Sequence, residues 1–173
     1  DAEAALLLTL QPNVPYTPIV SGVGGTTGVA LVEVYEVDDP GHNGPRLINI
    51  STRAQVGTGD KVLIGGFVIG GAEPKRVIIR ALGPSLSAAG VAGALANPAI
   101  QLTQVDGTPV ASNDDWKTNG NASEMQAMGR APVHDAEAAL LLTLQPNVPY
   151  TPIVSGVGGT TGVGLVEIYE VPD

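Results

Sequence analysis

Cysteine is absent from the 173 residues, which excludes disulfide stapling and zinc–thiolate sites. That absence does not choose a compartment, since cytosolic and secreted bacterial proteins both do without cysteine. Basic residues are scarce as well. Eight Lys and Arg stand against 17 Asp and Glu, a formal net charge of -9, and such an excess repels nucleic acid and anionic lipid, so both are excluded as main partners. No run of 18 apolar residues occurs, so no membrane-spanning helix is expected. The chain opens at Asp1 without a basic n-region or a cleavage pattern, and any signal peptide is expected upstream. Aromatic side chains are few: Phe67, Trp116 and four Tyr. Sugar-binding clefts commonly use aromatic platforms, so the scarcity counts against a carbohydrate-binding module, and Trp116 is the residue that keeps a polysaccharide partner open.

What is plentiful is glycine (23), proline (14) and aliphatic side chains. That mixture predicts many short strands joined by tight turns. The length suits one domain of ordinary size with a real core.

The chain also repeats itself. Residues 1–39 recur at 135–173 with an offset of 134, and only Ala30/Gly164, Val34/Ile168 and Asp38/Pro172 differ. A unit of 134 residues follows, of which the chain holds one copy plus the tail of another. The stretch from Asp38 to Pro45 is dense in Pro, Gly and Asp, and residues 40–45 read as a linker. A complete β-sandwich repeat is therefore expected over 46–173, with 46–134 as its body and 135–173 as its tail. Residues 1–39 are expected to be the tail strands of a preceding or neighbouring repeat, because about three strands cannot bury their apolar faces alone.

Within the unit, Leu47–Val56 alternates with the period of a half-buried strand. Lys61–Ile69 and Arg76–Leu82 are β-branched runs, apolar on both faces, and suit strands covered on both sides. Residues 83–98 read as a packed loop with a short helical turn. Ile100–Val105 and Thr108–Ala111 flank Asp106-Gly107, the signature of a two-residue hairpin loop with φ > 0 at both central positions. Asn121–Gly129 carries helix start and stop signals, with Met125 and Met128 facing inward. The tail supplies strands near 138–144, 149–154 and 163–171. The fold class is all-β: an antiparallel, jelly-roll-like β-sandwich with one short helix.

Candidate sites are thin. Asp106, Asn113, Asp114 and Asp115 offer hard oxygen ligands for calcium, but no Asp-x-Asp-x-Asp-Gly loop is present and the same residues are ordinary turn formers. No other metal, and no cofactor, is expected. Catalysis is not expected either, because the only histidines are His42, in the linker, and His134, at the joint of body and tail. Ser85 and Ser87 have no Gly-x-Ser-x-Gly elbow. The stretch Gly156–Gly162 resembles a phosphate loop in composition alone, and a β-turn is the expected structure. Lys75, Arg76 and Arg80 form the one basic patch, open either to acidic groups of a next repeat or to solvent. Asn49-Ile50-Ser51 and Asn121-Ala122-Ser123 match the glycosylation acceptor pattern, which is short and frequent by chance.

Four stretches carry a family likeness: Arg46–Arg53, Val62–Ile69, Ile79–Leu86 and Ser112–Trp116. Together they resemble a tandem repeat of large predicted surface or secreted proteins of environmental, Verrucomicrobia-like bacteria, and the likeness spans the whole unit. More distantly, the Asp-Gly hairpin, the Asn-Asp-Asp and the strand Tyr150-Thr151-Pro152-Ile153-Val154-Ser155-Gly156 resemble pre-peptidase C-terminal β-sandwich domains appended to secreted enzymes. The resemblance implies an extracellular or cell-surface, multi-domain setting without catalytic residues. A structural or adhesive unit is the favoured expectation, with copies of the chain joined head to tail into a fibre by a tail strand pairing along an exposed sheet edge of its neighbour. The alternative is a non-catalytic carbohydrate- or surface-binding module attached to a secreted enzyme.

Overall fold

The computed structural model describes residues 3–37 and 46–171. The chain divides into two units, residues 1–47 and 48–173. The segment read as a linker, with His42, lies outside the described residues.

The larger unit is a sandwich of two antiparallel sheets. Its strands in chain order are β1 (Asn49–Val56), β2 (Leu63–Ile64), β3 (Phe67–Val68), β4 (Lys75–Leu82), β5 (Pro98–Gln104), β6 (Pro109–Asn113), β7 (Ala138–Leu144), β8 (Pro149–Gly156) and β9 (Gly162–Glu170). One sheet has the order β1-β9-β4-β7, and the other β2-β8-β5-β6 with β3 also on β8. Two short helices, α1 (Pro84–Ala88) and α2 (Ala122–Ala127), complete it.

Apolar side chains from both sheets meet between them: Ile79, Leu140 and Val166 from one, Ile100, Leu102 and Val154 from the other. A second cluster lies on the outer face of the first sheet, where Ile78, Leu141 and Val171 pack with Trp116 and Met125. This explains why β4 is apolar on both faces. Val77 and Ile79 look into the sandwich, while Ile78 looks out beneath α2, the alternation a pleated strand imposes.

Three expectations need correction. The run Lys61–Ile69 is two short strands rather than one, and Ile64 and Val68 are 55% and 58% exposed, so its outer face is not covered. The interruption falls opposite Pro152, which has no N–H to donate. Gly65 fills the gap, donating its own N–H to the Pro152 carbonyl at 2.9 Å, and a Cβ there would stand 3.3 Å from both Pro152 and Val166. At the β5–β6 hairpin only Gly107 has positive φ, at 86°. The Gly107 N–H donates to Gln104 and the Gln104 N–H to Thr108, both at 2.9 Å, so the loop is a turn of three residues with a left-handed glycine and not a two-residue primed turn. Finally, the helical content is two short helices where one was expected, because Pro84 opens a turn inside the packed loop.

The smaller unit repeats the local turns of β7–β9 without their strands. Asn13 and Asn147 both adopt left-handed backbone, at φ 61° and 59°. The Gln11 N–H donates to the Tyr16 hydroxyl at 3.1 Å and the Gln145 N–H to that of Tyr150 at 3.0 Å. Thr26 and Thr160 each bond back to the carbonyl three residues earlier. Yet no described residue of 3–37 is in a strand, and all are exposed. Turn geometry is thus written in the local sequence, whereas the strands depend on partners supplied by the body.

Candidate functional site

The tail strands do not lie at the margin of the body. β9 sits between β1 and β4, and β8 between β5 and the β2–β3 pair, so two of the three are interior strands of the two sheets. Only β7 is an edge. The seam between residues 46–134 and β7–β9 is consequently where the chain commits most of its polar chemistry.

Glu137 opens the seam. Its side chain is fully buried, and its carboxylate accepts from the N–H groups of Gly83 and Ser85 at 3.0 and 2.9 Å, from the Ser85 hydroxyl, and from the His134 N–H at 3.3 Å. Four donors around one carboxylate replace the water it loses, which is how a buried charge is tolerated without a cation beside it. Ser85 thus clamps the tail through both its N–H and its hydroxyl. Sequence reasoning missed Glu137, since nothing in a lone Glu before an apolar run announces burial.

Three asparagines and an indole extend the clamp. The Asn113 side-chain carbonyl accepts from the Ala139 N–H at 3.0 Å, while Asn119 and Asn121 donate to the carbonyls of Ala139 and Leu141, each at 3.1 Å. These bonds occupy the outer edge of β7, a row that an unpaired edge strand would leave open. Trp116 is 3% exposed and its indole N–H donates to the His134 carbonyl at 3.1 Å. It is a core residue of the seam rather than an exposed platform for a sugar.

The basic patch is consumed in the same way. Arg80 stands opposite Glu167 in the β4–β9 register, donates from Nε to its carboxylate at 3.1 Å and stacks over the Tyr169 ring at 5.0 Å. Lys75 pairs with Glu170 at 2.9 Å, and Arg76 pairs with Glu124 of α2. Acidic partners for Lys75, Arg76 and Arg80 thus come from within the unit. Burial, and next the Glu167 carboxylate beside it, push the Tyr169 phenol above its ordinary range.

The residues singled out for calcium are separated by function. Asp106 caps its own turn, accepting from the Thr108 N–H at 2.9 Å, and that bond holds its carboxyl below the usual range. Asn113 uses both ends of its amide on backbone, at Ala139 and Asp115. Asp114 and Asp115 are exposed. Among the described residues no three His, Cys, Asp or Glu side chains converge as metal ligands. A polar groove between β5–β6 and β7 contains Ser112, Asn113, Asp114, Asn119 and Asn121. Of the remaining candidates, His134 is exposed, the Gly156–Gly162 stretch is a short turn at Val157–Gly159, and the side-chain amides of Asn49 and Asn121 both bond strand carbonyls. No helix among the described residues is long and apolar enough to cross a membrane.

No family model and no curated protein sequence matches the chain. Among solved structures it is similar to the pre-peptidase C-terminal domain of collagenase from Bacillus anthracis, with 13% identity over 73% of this chain and 99% of that one and a TM-score of 0.43.

Proposed function

We propose that the chain is a non-catalytic β-sandwich unit of an extracellular structural or adhesive protein, in which each body is completed by a β7–β9 triplet and triplets join successive units. The observation that carries this is a contrast between two copies of one sequence. Leu140, inside the sandwich, and Leu141, in the cluster on its outer face, are 3% and 4% exposed, while their counterparts Leu6 and Leu7 are 84% and 83% exposed. A segment built to fill the interior of two sheets, present once filled and once unfilled, is a connector awaiting a body. Joining by completion of a sandwich involves interior strands, and so differs from pairing along an open edge.

Such an array needs no catalytic group, only length and continuity. Electron microscopy of the native protein should show beaded strands with a repeat on the order of 40 Å per unit. Dispersed single domains in the native material would overturn the array.

A second reading is favoured by the polar groove beside β7, whose Asn113, Asp114, Asn119 and Asn121 side chains could meet sugar hydroxyls. There the chain would be a binding module appended to a secreted enzyme. Tight, saturable binding of a polysaccharide that Asp114→Ala abolishes would establish it in place of the array.

A further inference from the structure

The body 46–134 has one berth for a β7–β9 triplet, and the chain carries two triplets that differ, among described residues, at two positions. Both differences lie on the buried side of β9. Gly164 and Ile168 are buried there, and the other copy has Ala30 and Val34. One carbon is moved, not added: the methyl gained at Ala30 is the one lost between Ile168 and Val34.

Connectivity does not choose between the copies. Asn49 at the start of β1 faces Tyr169 at the end of β9, so a strand entering from the N-terminal side would have to close from Tyr35 to Asn49 through residues 36–48. Hairpin loops usually need only about 2–5 residues. The choice must rest on packing.

Packing does discriminate. A Cβ at Gly164 would stand 2.9 Å from Cγ2 of Val56 and 3.6 Å from Cδ2 of Leu95. Val56 is fully buried and stiff at χ1, so its methyl has no free direction in which to give way. Meanwhile the Ile168 Cδ1 lies close to where a Gly65 Cβ would be, at 3.9 Å, and Val34 would leave that space empty. The N-terminal triplet therefore overfills the berth at one point and underfills it at another.

Resting on the array reading above, we infer that Val56 makes this body selective for its own C-terminal triplet, and that residues 3–37 are the donor for a second body of the same fold carrying a residue smaller than valine at the Val56 position. Overpacking by one methyl, with a cavity elsewhere, sets a preference of about tenfold to a hundredfold. Copies with this same body are then poor acceptors of one another's residues 3–37, which keeps units in sequence.

Residue-resolved amide exchange by NMR on the full chain tests this, because Ala30 and Val34 are distinguishable from Gly164 and Ile168. In the unmodified chain residues 163–170 should be protected and 29–36 should exchange freely. In the exchanged variant Ala30→Gly with Gly164→Ala, protection should move toward 29–36. If that variant does not fold, Val56→Ala provides the second arm, and protection should then divide between the two copies. Protection confined to 163–170 in a folded variant of either kind overturns the selectivity, as does equal protection of both copies in the unmodified chain. Protection of neither copy in a folded chain overturns instead the array reading on which it rests.

Discussion

Arg80 and Glu167 face each other across the β4–β9 ladder, body on one side and tail on the other, with side chains only 15% and 11% exposed. A pair this far out of water is costly to break, because the surviving partner keeps its burial and loses its compensation. Glu167→Gln should lower unfolding free energy by about 3 kcal/mol in urea denaturation. Glu33→Gln, the same change in the exposed copy, should leave the midpoint unchanged.

Glu137 offers a sharper version of that comparison. Removing its carboxylate strands the Gly83 and Ser85 N–H groups inside the protein, and each orphaned donor costs about 1–3 kcal/mol. Glu137→Ala should therefore destabilise by several kcal/mol in the same assay, whereas Glu3→Ala should be silent.

For Trp116 the expected effect is on stability and not on ligands. Trp116→Ala should cost about 3–5 kcal/mol through the cavity it leaves. Trp116→Phe, which keeps most of the packing and loses the bond to the His134 carbonyl, should cost about 1 kcal/mol. Affinity electrophoresis in soluble polysaccharides should show no dependence on either change.

Tyr169 sets an alkaline limit. Its phenol is raised in the folded state by burial and by Glu167, so above the ordinary value of about 10 the unfolded chain loses the proton first. Stability then falls as pH rises through the folded-state value, and is fully present below pH of about 10. A stability–pH profile should show this fall, and Tyr169→Phe should remove it.

Calcium is checked by thermal unfolding with and without chelator. The carbonyl of Asn113 already accepts the Ala139 N–H, and a cation would have to take that oxygen away from the β6–β7 seam. The expected result is an unchanged Tm. A rise that Asp114→Asn and Asp115→Asn abolish would place an ion there.

β1 is legible from its period of two and β4 from its β-branched run, apolar on both faces, since both are local properties of the chain. β1 is not half-buried as its alternation implies, because of its residues only Val56 is buried and Ile50 partly so. α2 is legible too, its Met125 fully buried as its spacing requires. The break between β2 and β3 is not, since it is set by Pro152, far along the sequence, lying opposite Gly65. The hairpin at Asp106-Gly107 is legible in the sequence but its turn type is not, because the Asp-Gly pair fits both a primed turn and a three-residue loop. Glu137 and the roles of Lys75, Arg76 and Arg80 were hidden for one reason: a charge is classed as buried or solvated only by what folds over it.

The repeat is the plainest feature of the sequence, and it sets residues 1–39 apart as tail strands without a body of their own. Thirty-six matches in 39 positions say that two segments have the same preferences. They do not say that β8 and β9 will be interior strands of the two sheets.

The interior position of β9 also has a consequence in time. On a ribosome the N-terminal triplet is finished before any of this body exists, and the C-terminal triplet is made after it. At roughly 5–20 residues per second, residues 135–173 take about 2–8 seconds to follow the body out. During that interval the earlier triplet is already made and the later one is not. On the inference above, the lack of room for a Cβ between position 164 and Val56 would work as a timer as much as a lock, holding the berth open for the strand that has yet to be translated.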